Sequence, residues 1–173
     1  MPQYVRPPID APVCRDAAGQ LIDYGNRWHG DSPPDDTYSV DTNLERFRPL
    51  HTVAEALIEF LPAAYDVTVS EGHDGDILHA RTDIVRAVRL TPRDSNAAPL
   101  TFVFTSYPSV IVHAGALIDF LHPVCGCDAC DSSWEHEADE MEWHVLAVAA
   151  GKFSETRWHG WFGHAIESVD GMA

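Results

Sequence analysis

Lysine is nearly missing from this chain. Of 173 residues only Lys152 is a lysine, and ten arginines bring the basic total to 11 against 27 acidic side chains. The resulting net charge of −16 repels phosphate backbones, which excludes nucleic acid as an expected partner. The same field attracts metal ions, cationic ligands and basic proteins, although an acidic surface also serves solubility alone. Long apolar runs are missing too. No stretch approaches the roughly 20 residues of a membrane helix, and Met1–Pro8 holds no apolar signal region. A cytoplasmic protein with no membrane partner is therefore expected. Catalytic signatures are absent as well. The ten histidines form no H-E-x-x-H pattern, no G-x-S-x-G elbow surrounds a serine, and no nucleotide-binding loop occurs. The expectation is a non-enzymatic chain.

What is present suffices for a core. Hydrophobic residues make up 45% of the sequence and aromatics 10%, ordinary for a globular protein of one domain over residues 1–173. The first 41 or so residues, rich in Pro, Gly and Asp, read as an irregular arm. Thr42-Asn43-Leu44-Glu45 fits a capping box that opens a helical turn, and Pro49 suits the first position of a helix. Val53, Ala54, Leu57, Ile58 and Leu61 then recur at helical spacing, and Pro62 is expected to close that helix. From Tyr65 the period changes to two. Tyr65-Val67-Val69, Ile84–Leu90, Leu100-Phe102-Phe104, Val110–His113 and Ile118-Phe120 read as short strands, with a turn over Gly72–Asp76 and a polar rim loop over Thr91–Pro99. His73-Asp74-Gly75-Asp76 is too short for a calcium loop and reads as a turn.

A second capping box, Ser132-Ser133-Trp134-Glu135, opens another helix. Its apolar face is Trp134, Ala138, Met141, Val145 and Val148, its acidic remainder Glu135, Glu137, Asp139, Glu140 and Glu142, and its stop Gly151. The tail from Trp158 to Ile166 is too aromatic for a solvated linker and is expected to pack back on the domain. The fold class is α+β, an antiparallel meander with two amphipathic helices on one face.

Three of the four cysteines fall within six residues, Cys125-Gly126-Cys127-Asp128-Ala129-Cys130. In a reducing compartment such a cluster points to metal or redox chemistry before a structural disulfide. Zinc takes four ligands from Cys and His. Cys125, Cys127 and Cys130 supply three; the fourth is expected from His122, with Cys14 or His136 as alternatives. Copper(I) also suits soft thiolates where solvent can reach them. Two other readings stand beside the metal. The cysteines can simply pack in a tight turn, or the C-x-x-C of Cys127 and Cys130 before a helix N-terminus can be a redox pair. A basic protein binding the acidic helix face is the partner expected from charge.

Tyr24-Gly25-Asn26-Arg27-Trp28, Tyr38-Ser39-Val40, Glu45-Arg46-Phe47-Arg48-Pro49-Leu50-His51 and Cys125–Asp131 together resemble a family of small, high-GC bacterial proteins of unknown function, with CGCDACD its most specific element. The preference for Arg over Lys agrees with such a source. The resemblance spans most of the chain and implies one domain, without an activity or ligand to carry over.

Overall fold

The computed structural model describes residues 2–72 and 83–169, so the turn read over Gly72–Asp76 falls almost wholly outside the described residues. Helix α1 spans Pro49–Ala64, with Pro49 at its first turn, where the missing N–H costs nothing. Its stripe of Leu50, Val53, Ala54, Leu57, Ile58 and Leu61 is buried. Each large side chain there contributes about 1.5–3 kcal/mol. Pro62 does not close the helix, which runs two residues further and ends with the Tyr65 N–H on the Leu61 carbonyl at 2.9 Å. So near the end, proline deprives the helix of a single donor, and tertiary packing tolerates that.

Five strands follow: β1 Val67–Glu71, β2 Ile84–Pro92, β3 Leu100–Thr105, β4 Val110–Ala114 and β5 Ile118–His122. They pair in chain order, every pair antiparallel, as the alternating pattern predicts. The register sets Val88 opposite Phe102 and Phe102 opposite Val112, all fully buried. That face, with Leu90, Phe104 and Val110, packs against α1 and against α2, which spans Trp134–Ala149. The opposite face carries a narrower apolar row of Ala87, Val103 and Ile111, flanked by Leu121.

Ser133 caps α2 by accepting the His136 N–H at 3.3 Å. At the other end Gly151, at φ 73°, donates to Val148, and Lys152 donates to Ala147. This is the 6→1, 5→2 pattern by which a left-handed glycine ends a helix. One acidic residue departs from the expected solvated face. Glu137 is buried, 7% exposed, against the sheet.

Strands β6 Phe153–Trp158 and β7 Trp161–Ile166 form a separate hairpin. Its two-residue turn, His159 and Gly160, has φ values of 47° and 85°, the double positive φ that matches strand twist. The hairpin's root packs back as expected, through Phe153 and Ile166 on the core. Glu155 also accepts the Ala116 and Leu117 N–H groups at 2.9 and 3.0 Å. The tip does not pack back. Trp158 and Trp161 stay 76% and 81% exposed, because the two-residue turn carries them beyond any partner surface.

Residues 2–41 hold no α-helix or paired strand, only the short turn Asp35–Thr37 and the Arg15–Leu21 bridge, and side chains order them. Arg6 pairs with Glu142 and Asp139 of α2, and Tyr4 donates to Glu142 at 2.8 Å. The expected capping box at Thr42 does not form. Asn43 adopts a left-handed φ of 51°, and the short turn Leu44–Phe47 begins without a side-chain cap. No helix among the described residues is long and apolar enough to cross a membrane.

Candidate metal centre

The cysteine loop joins β5 to α2, and most of its order comes from residues far away in sequence. Arg46 is 3% exposed. Its guanidinium donates to the Gly126 carbonyl (2.8 Å), the Ser132 carbonyl (3.2 Å) and the Thr42 carbonyl (2.6 Å). It also lies over the rings of Tyr24 and Phe47, at 4.1 and 4.2 Å from their centroids. A rigid fork of donors suits this role, since it fixes both flanks of the loop from one buried point. Backbone pairing adds to it: the Asp128 N–H reaches the Val40 carbonyl and the Ala129 N–H the Thr37 carbonyl.

Asp128 and Asp131, within the cysteine motif, are each held by residues far away in sequence. Asp128 accepts the Thr42 hydroxyl at 2.7–2.8 Å and its N–H at 3.2 Å, and Arg27 lies 3.8 Å away. Thr42 is therefore spent on Asp128 instead of capping its own turn. Asp131, at φ 54°, accepts the Arg27 N–H at 2.7 Å. Gly126 is required by a close approach. A Cβ there would stand 2.9 Å from the Phe47 ring and collide with the Tyr107 hydroxyl.

So held, the loop brings Cys125, Cys127 and Cys130 together, with all three sulfurs within 4.8 Å of one another. Cys127 is buried, while Cys125 and Cys130 face outward. The sulfurs of Cys127 and Cys130 are 3.4 Å apart. Tetrahedral zinc with sulfur at about 2.3 Å sets its sulfurs about 3.8 Å from one another, so small side-chain shifts would seat an ion. Burial alone would raise the Cys127 thiol. The Cys130 and Ser39 N–H groups and the neighbouring thiols outweigh it and pull Cys127 down to about 7. Cys130 is pushed the other way, chiefly by its hydrogen bond with Cys125 and by burial. Of these two, Cys127 takes the negative charge first.

The expected fourth ligands do not join the three thiols. His122 stands opposite Val110 in the register, so its side chain enters the helix-facing core and not the loop. It is 2% exposed, its Nδ1 lies 4.0 Å from Glu137, and its ring is 5.4 Å from that of His144. Among the described residues neither ring nitrogen has a hydrogen-bond partner, and burial first, then His144, lowers its pKa to about 3. Cys14 has its sulfur 4.0 Å from the Pro12 carbonyl, and His136 lies on the exposed side of α2 beside Glu140. Neither belongs to the cluster.

The thiols border a depression of ≈ 580 Å³ lined also by Tyr38, Asp41, Tyr107, Ile111 and Leu121. Tyr107 is pushed up to about 12, first by burial and then by Asp41.

The four segments that carry the resemblance converge here. Tyr24 and Arg46 stack, Arg27 holds Asp131, Val40 receives Asp128, and Phe47 backs Gly126. A family of unknown function, DUF6226, matches residues 10–172. The chain belongs to that family. No curated protein and no solved structure matches it. DUF6226 therefore brings no ligand or reaction with it, and the chemistry must be argued from the loop itself. Sequence reading missed Arg46, Arg27 and Thr42 as its supports. For Arg46 and Arg27 the signal was only that their segments bear the resemblance, and Thr42 stands outside those segments.

Proposed function

We propose that this chain is a cytoplasmic, single-domain, non-enzymatic protein of bacterial type that holds one zinc ion on the thiolates of Cys125, Cys127 and Cys130. The observation behind the reading is three convergent sulfurs, on a loop whose flanks Arg46 fixes from a buried position. The fourth position falls to solvent or an exogenous ligand at the depression, because none of the expected histidines reaches it. An ion with one such position resembles an open site more than a closed structural one. Bound, it would cross-link the loop that joins the sheet to α2. The exposed acids Glu135 and Glu140 on the outer side of α2 fit a basic protein partner.

Metal analysis of protein purified under reducing conditions, before and after zinc reconstitution, tests this. The expected result is near one equivalent per chain, lost in Cys127→Ser while circular dichroism of the sheet and helices stays unchanged. A stoichiometry near zero even after reconstitution overturns it.

A second reading rests on the 3.4 Å Cys127–Cys130 separation and the depressed Cys127 thiol. It makes these two a thiol–disulfide pair. A disulfide reagent should then oxidise them reversibly, and its rate should rise with pH through about 7. Failure to form that disulfide removes this reading and leaves the metal one standing.

A further inference from the structure

We infer that the cavity between the C-terminal ends of α1 and α2 binds an amphiphilic organic cation, with an aliphatic or ring body inside and an ammonium group at the mouth. The cavity measures ≈ 380 Å³, within the range of about 300–1,000 Å³ typical of small-molecule sites. Its floor reaches the core through Leu61, Leu90, Leu100 and Val148, all 4% exposed or less. Ala97 and Ala98, from the loop after β2, are too small to fill the space above that floor.

Charge at the mouth selects the head group. Two carboxylates, Asp66 and Asp94, stand there against a single guanidinium, Arg93, which lies 3.4 Å from Asp66. Asp94 is fixed at the rim by accepting the Asn96 N–H and side-chain amide at 2.9 and 3.1 Å. Both helices also point their C-terminal poles at this place, each equivalent to about half a negative charge. Neither has a basic residue in its last turn to offset it. Arg93 offsets one carboxylate, Asp66, but Asp94 and the two helix poles remain, so a cationic head finds net attraction, a carboxylate head net repulsion, and a neutral molecule gains only the floor. The cysteine loop lies at the other end of α2, about 24 Å away along a 16-residue helix, so this site does not depend on the metal reading.

Titration calorimetry with octylammonium, 1-octanol and octanoate, each below its aggregation concentration, tests the inference. Octylammonium should bind, octanol about tenfold more weakly, and octanoate not measurably. The double variant Asp66→Asn, Asp94→Asn should lower octylammonium affinity about tenfold. The control Asp35→Asn, Asp36→Asn, with the same loss of total charge elsewhere, should leave it unchanged. Ala98→Leu, checked for folding by circular dichroism, should weaken all aliphatic binding by filling the cavity. Octanoate binding as well as octylammonium, equal effects of the two charge variants, or no binding by any probe each overturn the proposal.

Discussion

The cysteine loop and the aromatic hairpin both stand out in the sequence, and the fold treats them in opposite ways. The loop has almost no regular structure, yet Arg46, Thr42, Arg27 and the Val40 carbonyl tie it down from positions 80 or more residues away. The hairpin has a full backbone ladder and a favourable turn, yet beyond Glu155 its aromatic tip touches little. Long-range polar contacts can order an irregular segment more firmly than local regularity orders a projecting one. Order and secondary structure are separate properties here.

Breaking the loop's buried anchor should have the largest effect. Arg46→Met leaves the buried Gly126 carbonyl and the part-buried Ser132 and Thr42 bonds without their donor, and it also removes the guanidinium from the Tyr24 and Phe47 rings. One unpaired buried group alone costs about 1–3 kcal/mol. A loss of about 3 kcal/mol or more is expected in chemical denaturation, together with weakened metal binding. A loss below about 1 kcal/mol would mean the loop holds without its anchor. Gly126→Ala comes next. The added methyl must displace Phe47 or Tyr107, an overpacking worth about 1–3 kcal/mol. A neutral outcome in the same assay would show that the loop yields more readily than its contacts suggest.

The root of the loop supplies a pH-dependent test. His122 accepts a proton at its ordinary value of 6.5 when unfolded but only near pH 3 when folded. The unfolded chain therefore binds more protons across that window, and stability falls as pH drops from about 6.5 toward 3, by up to about 1.4 kcal/mol per unit from this group. His51 and His144, also lowered by burial, act with the same sign. Denaturation midpoints of His122→Phe should fall less steeply below pH 6 than those of the parent; an identical slope would refute the assignment. The smallest effect belongs to the hairpin tip. Trp161→Ser should change stability by no more than about 0.5 kcal/mol, and a larger loss in thermal unfolding would show that the tip packs on something after all.

Most of the fold was legible because it follows from periodicity. The strands from Val67 to His122 fall where they were read, although Val69 stays exposed and β3 is buried on both faces, and both helices bury most of the stripes their spacing announced. Pro62 was misread because a helix-breaking residue near a C-terminus acts on a single donor. Thr42 was misread because a hydroxyl three residues before a glutamate satisfies the capping pattern whether or not it caps. The convergence of the three cysteines was legible from proximity in sequence, which needs no knowledge of the fold. His122 was not, since the strand's alternation, and not its nearness to Cys125, decides which side of the sheet it enters. Arg46 carries no local sign at all: the carbonyls it serves are brought to it only by the finished tertiary structure.

The arm is fastened at two distant points, Tyr4 and Arg6 on α2, and Tyr24 to Arg27 beside the cysteine loop. Between them the chain makes a detour whose tip, residues 15–21, is wholly exposed and closed by bonds of its own, the Arg15–Leu21 bridge and the Asp16 N–H on the Gln20 carbonyl among them. While the backbone is continuous, the first fastening is an intramolecular event at high effective concentration. One cleavage after Arg15 turns it into an encounter between two molecules. Dilution should then strip the leading peptide from α2 while the second fastening, and the loop it supports, stay in place.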